Sequence, residues 1–415
     1  MRAHSLDALR GYAILTMVLS ATVVYSILPG WMYHMQEPPP DHIYDPNLAG
    51  LTWVDLVFPF FLFAMGAAFA FSLRRKVEKG ESKLKIIGEI ALRYVELTFF
   101  AILIQHFYPY MLSNPQDPRA WFLAVCCFAI LFPMFMRLPV KMPRWGHLLV
   151  KIAAFGIAIA MLLCTDYADG REFSLYTSNI IILLLANMAF FGSLVYLFTI
   201  GRPMARIVVM IAVLAIILSG DIEGSWTQAV VGWTPAPWMY RFGYLLYLGI
   251  VIPGSLAGDI LRAWMLSNAD KSPSASKLKA WTLLAISLAI IVTALVGLYQ
   301  RESFVAFAIT AVLLIAAWLV MRNEKGFGDL WQKLIILGAA LLIIGYCIEP
   351  FQGGIKKDGP TFGYLLISSG LATFALIAFN IVCDYFHCHR STAFLTMSGQ
   401  NPMIAYVACD LLKIH

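Results

Sequence analysis

Apolar segments of about twenty residues recur along the chain, separated by short connectors in which charge, proline and glycine collect. They lie near 10–28, 52–72, 87–105, 120–136, 148–164, 179–200, 204–220, 240–265, 280–298, 303–321, 332–347, 362–383 and 393–413. A helix that crosses ~30 Å of hydrocarbon needs about 20 mainly apolar residues. The pattern therefore predicts an all-α, polytopic transmembrane helical bundle of about 11–13 spans. The third, fourth and fifth segments are short or polar enough for one of them to be re-entrant or tilted. Residues 1–415 read as a single transmembrane domain, with SNADKSPSASK as the one flexible linker. The last apolar run stops abruptly at LLKIH, which predicts that a final C-terminal span is missing.

Composition agrees with this reading. The 415 residues are 60% hydrophobic and only 13% charged, with a mean hydropathy of +0.76, far from a soluble protein of this size. The net charge of +6 is a matter of topology rather than of nucleic-acid binding. With the N-terminus cytoplasmic, 22 of the 30 basic residues fall on inner segments. Only Arg119, Arg171, Arg241, Arg301, Lys356 and Lys357 fall on outer loops. That alternation is the positive-inside bias. MRAHSLDALRG carries no cleavage-type run of small residues ahead of the first span. The 7 cysteines have no paired spacing, so neither disulfides nor a zinc ribbon is expected. In CDYFHCH, Cys383 and His387 lie a helical turn apart, but a four-coordinate metal would need ligands from elsewhere, and a plain helix end is the simpler expectation.

Ionisable residues inside spans are functional candidates by default. Asp7 and Arg10, Arg93 and Glu96, and Asp259 and Arg262 each stand three residues apart, near enough to pair across a helical turn. Structural ion pairing and function are equally open for them. No GxSxG, HExxH or Walker sequence occurs, so acid–base chemistry on the outer face falls to His34, His42 and His106. His34 and His42 sit in the loop MYHMQEPPPDHIYDPNLAG, which its prolines stiffen and which leads directly to Asp55 at the head of the second span. The outer loops are also rich in Trp and Tyr, which favours an interfacial aromatic belt over a sugar-stacking wall.

SLDALRG (Ser5 to Gly11), the histidine loop and GLTWVDLVFPFFLFAMG (Gly50 to Gly66) together resemble the heparan-alpha-glucosaminide N-acetyltransferase family, in its bacterial branch. The late segment SGQNPMIAYV, Ser398 to Val407, is similar to that family's C-terminal motif. The resemblance implies a transmembrane acyltransferase-type domain that takes acetyl from cytosolic acetyl-CoA and passes it to an amino sugar or related glycan across the bacterial inner membrane. It implies a loop histidine as base or acyl carrier: His42, eight residues before Gly50, with His34 as the second choice. An asparagine that some members carry late in the first span has no counterpart near Ser20 and Ala21. Asp55 is expected either to orient the histidine or to cap its own helix. Arg10, Arg74, Arg75 and Arg262 are the expected coenzyme A phosphate partners. The expected partners are coenzyme A, the sugar, the bilayer and a second copy of the chain, but no nucleic acid. A sugar permease or a proton-coupled transporter on the same fold is the alternative.

Overall fold

The computed structural model describes residues 3–22, 27–136, 143–267, 275–400 and 407, and among them every regular element is a helix. The chain runs through α1 (His4–Thr22), α2 (Trp53–Glu78), α3 (Lys83–His106), a short α4 (Pro109–Leu112), α5 (Pro118–Phe135) and α6 (Arg144–Cys164). It continues through α7 (Ile180–Phe198), α8 (Pro203–Ser219), a short α9 (Trp226–Gly232), α10 (Leu248–Leu266) and α11 (Lys277–Tyr299). The last four are α12 (Ser303–Met321), α13 (Phe327–Cys347), α14 (Phe362–Phe379) and α15 (Ala393–Gln400).

Nine of the described helices are long and apolar enough to cross a membrane: α2, α5, α6, α7, α10 to α14. This is a multi-pass membrane protein. The count falls below the 11–13 expected because three further segments miss the same standard. α1 carries Asp7 and Arg10, α3 carries five charged residues from Lys83 to Glu96, and α8 is only 17 residues long. Apart from Val407, residues 401–415, and with them most of the expected final span and of the C-terminal motif, lie outside the described residues, as do 268–274 of the expected linker.

Local chemistry sets the helix starts. Ser82, Asp117, Asn179 and Thr361 each accept a hydrogen bond from the backbone N–H three residues on, opening α3, α5, α7 and α14. Packing then ranks the helices: 83% of the α14 span is buried inside the protein against 17% of the α6 span, so α14 is central and α6 peripheral. One apolar core gathers around α2, α10, α13 and α14, and a second is formed by α3 to α6 with the start of α7. α1 is held by a close crossing with α15, where a Cβ on Gly11 would fall 1.7 Å from the Leu395 carbonyl oxygen and one on Gly399 would fall 2.1 Å from that of Asp7. Only hydrogen fits at either place.

Two of the expected pairs within a helix give way to partners on other helices. Glu96 pairs with Lys151 of α6 rather than with Arg93. Asp259 takes Arg206 of α8 at 3.0 Å, and Arg262 takes Glu78 of α2. Neighbours on one helix can meet, but a guanidinium from a facing helix reaches a buried carboxylate without bending along its own helix surface. Arg10 stays near Asp7, as the spacing suggested.

Candidate functional site

The loop between α1 and α2 folds back so that His34, not His42, meets Asp55. His34 Nδ1 lies 2.8 Å from Asp55 Oδ1. The carboxylate divides its work. Oδ1 takes the imidazole, while Oδ2 accepts from the Thr52 N–H at 3.0 Å, the Thr52 hydroxyl at 2.9 Å and the Met35 N–H at 3.3 Å. The two roles expected as alternatives, orienting a histidine and capping a helix, are both filled by one side chain.

The backbone beneath is built to hold it. Pro59 has no N–H to offer the Asp55 carbonyl four residues earlier, and the Tyr364 hydroxyl from α14 donates to that oxygen at 2.8 Å. Gly50 stands at φ 142°, its N–H bonded to the Ile355 carbonyl at 2.8 Å, and a Cβ there would meet the Leu298 carbonyl oxygen at 2.9 Å. These contacts tie the histidine loop to the connector between α13 and α14. Gln36, 2% exposed, makes a double hydrogen bond to the Asp358 backbone, accepting from its N–H at 2.7 Å and donating to its carbonyl at 3.0 Å. Lys357 thereby comes to His34, its ammonium 3.1 Å from Nδ1 and 3.4 Å from Nε2.

Asp55 is 2% exposed and His34 32%, so the acid is sealed and the imidazole is open on one side. With Nδ1 donating to the carboxylate, the lone pair sits on Nε2. That is the arrangement of a base held in one tautomer.

The other histidines do different things. His42 stands in a left-handed turn, φ 50°, with Nδ1 3.1 Å from the Glu37 carbonyl oxygen and its ring edge-on to Tyr33 at 4.6 Å. The structure does not bring it to Asp55. His106 is 1% exposed and braces the loop after α3, with Nδ1 2.8 Å from the Ile102 carbonyl oxygen and the Ser174 N–H 3.3 Å from Nε2.

A cavity of about 400 Å³ lies between α1, α2, α3 and α7. One end is charged, with Arg10, Lys76, Glu89 and Arg93 on its wall. Lys76 is paired with Glu89, whereas Arg93 makes no ion pair among the described residues. The wall then turns apolar along α2 through Phe69, Met65 and Phe61 to Phe58, one turn from Asp55. From Lys76 to Phe58 is about 27 Å along the helix axis. Of the arginines expected to meet phosphates, Arg10 alone lines this cavity. Arg74 pairs with Glu78 at 3.2 Å and Arg262 with the same glutamate, while Arg75 is exposed elsewhere on α2.

Residues 2–265 match the model of a family described as a domain of unknown function, DUF5009. The chain is a DUF5009 protein. In this DUF5009 protein the matched stretch includes His34, Asp55 and the whole cavity wall, while Lys357 comes from beyond it. The chain is also similar to human heparan-alpha-glucosaminide N-acetyltransferase, 33% identical over 103 residues, which is 25% of this chain and 14% of the relative. The mouse enzyme of the same name matches at 32% over the same shares. The aligned stretch is thus a small part of either curated relative.

Among what sequence reading missed, Lys357 matters most. It counts there only as one of six outer-loop cations, and the signal available was its place in GGIKKDGP, a turn-rich loop opposite the histidines.

Proposed function

We propose that this DUF5009 protein is a multi-pass membrane acetyltransferase of the bacterial inner membrane. In this reading it carries acetyl from cytosolic acetyl-CoA to the amine of a glucosamine-type sugar on the opposite side. The observation that carries it is the pairing of a half-open, Asp55-oriented His34 with a long cavity whose other end is basic. The similarity to two N-acetyltransferases supports the same chemistry.

The cavity residues suit an acyl-CoA in kind. Phosphates need cations, which Arg10, Lys76 and Arg93 offer at one end, and a thin arm needs a narrow apolar shaft with few polar stops, here Ser72 and Ser193. The positive-inside bias assigns that end to the cytosol. When bound, acetyl-CoA supplies an activated thioester. His34 Nε2 takes the proton of the attacking amine, and Asp55 stabilises the imidazolium that results. A direct transfer and an acetyl-imidazole use the same nitrogen. A permease for sugars would want polar groups along its route, and the Phe58–Phe69 wall has almost none.

The test is transfer of labelled acetyl from acetyl-CoA to glucosamine by protein purified in detergent or reconstituted in vesicles. Transfer above the rate of the His34→Ala protein supports the reading; equal rates for both proteins reject it.

A further inference from the structure

We infer that Lys357 is a catalytic residue of this site, the cation that receives the oxyanion formed during acyl transfer. The inference rests on the acetyltransferase reading above and adds a residue to it.

A lysine ammonium fixed in a loop normally ends at a carboxylate. Lys357 does not: its nearest carboxylate oxygen among the described residues is Asp358 Oδ2 at 3.9 Å, and it sits instead 3.1 Å and 3.4 Å from the two ring nitrogens of His34. Its position is imposed from both sides. The Lys356 N–H before it donates to the Thr361 hydroxyl at 3.2 Å. Asp358 after it is clamped by Gln36. The side chain is only 22% exposed, so four flexible torsions are ordered beside an imidazole, offset by no more than a loose 3.9 Å pair with the half-exposed Asp358. A structural lysine has no need of that placement. A group that meets developing negative charge does, because fixed charge aimed at a reacting oxygen needs no reorganisation during the reaction.

The chemistry balances without another reagent. The acceptor nitrogen bonds to the thioester carbonyl carbon, the C=O π pair moves onto oxygen, and the nitrogen's proton goes to His34 Nε2. The Lys357 ammonium stands beside the same ring and turns from it to the oxyanion as the charge develops. Collapse restores C=O and breaks the C–S bond, and the proton on His34 passes to the departing thiolate. Asp55 and Lys357 then have opposite duties: one stabilises the imidazolium, the other the oxyanion.

Lys357→Met keeps the length and removes the charge, while Lys357→Arg keeps the charge. The expected result is a fall in kcat of about 10²–10³-fold for Lys357→Met. The KM for acetyl-CoA should stay within about threefold, and Lys357→Arg should recover at least about tenfold of the loss. Thermal unfolding in detergent, and Gln36→Leu as a variant that loosens the loop but keeps the charge, separate chemistry from folding. A Lys357→Met protein with wild-type kcat overturns the inference. So does a Lys357→Arg protein no better than Lys357→Met, or a Lys357→Met protein that loses activity only in step with its melting temperature. If wild-type protein transfers no acetyl at all, the parent reading fails, and the inference falls with it.

Discussion

Two ionic clusters sit at opposite ends of α2, about 28 Å apart as measured from Asp55 to Arg74, and they use an aspartate in opposite ways. At the far end, Arg206 is 1% exposed and spends its guanidinium on Thr199 Oγ1 at 3.1 Å, Ser255 Oγ at 2.9 Å and Asp259 Oδ2 at 3.0 Å. It also lies over the Tyr196 ring, 4.3 Å from the centroid. Tyr196 donates to the other oxygen of Asp259 at 2.7 Å, and Arg74 approaches it at 3.8 Å. Every atom has a partner, and the cluster ties α2, α7, α8 and α10 together. At the near end, Asp55 is just as fully bonded, but its partner His34 keeps a third of its side chain open. A charge network spent wholly on partners from neighbouring helices holds those helices. One that leaves an oriented imidazole at its edge is equipped to meet a substrate.

The comparison can be broken from either side. The largest effect is expected from His34→Ala, which should lower labelled acetyl transfer by about 10³–10⁴-fold. Its melting temperature in detergent should hardly change. Should the melting temperature collapse instead, the near cluster would be as structural as the far one. Asp259→Ala should do the reverse, leaving Arg206 buried without its carboxylate and costing about 3–5 kcal/mol of stability. Chemical or thermal unfolding measures this, and the double variant Arg206→Met, Asp259→Leu should regain most of the loss because the unpaired charge is gone. An Asp259→Ala protein as stable as wild type would mean that the closed network does not hold the helices.

Smaller effects sharpen the picture within the cavity and the loop. Arg93→Ala should raise the KM for acetyl-CoA by about tenfold with kcat held, an effect that weakens as salt rises. No change at low salt would remove Arg93 from the charged end of the binding path. His42→Ala should change activity by less than about twofold, since its imidazole is engaged with Glu37 and Tyr33 rather than with Asp55. Loss of transfer on a par with His34→Ala would reverse the choice between the two.

How far the sequence foretold this depends on the range of the interaction. Helices came from hydropathy, because a bilayer imposes length and polarity on each segment separately. The candidate acid and both candidate histidines came from their place at the head of α2. The choice between the histidines did not. The resemblance favoured His42 and the altered spacing to Gly50 kept His34 open, whereas it is the closing of the intervening loop that brings His34 to Asp55. Asp259 was paired by spacing with its helical neighbour, although the better partner stood 53 residues away on α8. Arg74 and Arg262 were expected to meet phosphate because they are basic, but Glu78 from one helix satisfies both. Lys357 reaches His34 across 323 positions, a distance that no local pattern spans.

The crossing of α1 and α15 has a consequence for how the protein is made. α1 precedes every other described helix, yet its closest crossing is supplied by Leu395 and Gly399, among the last described residues to be made. Until then the wall that bears Arg10, Ile14 and Met17 has α2 and α14 beside it but lacks that crossing. The chain therefore holds this wall more loosely until α15 follows, a state in which chaperones, lipids or a neighbouring chain can enter. A chain cut short before α15 would keep most of the described helices and lack the crossing that fixes α1, giving the cell a simple criterion for discarding it.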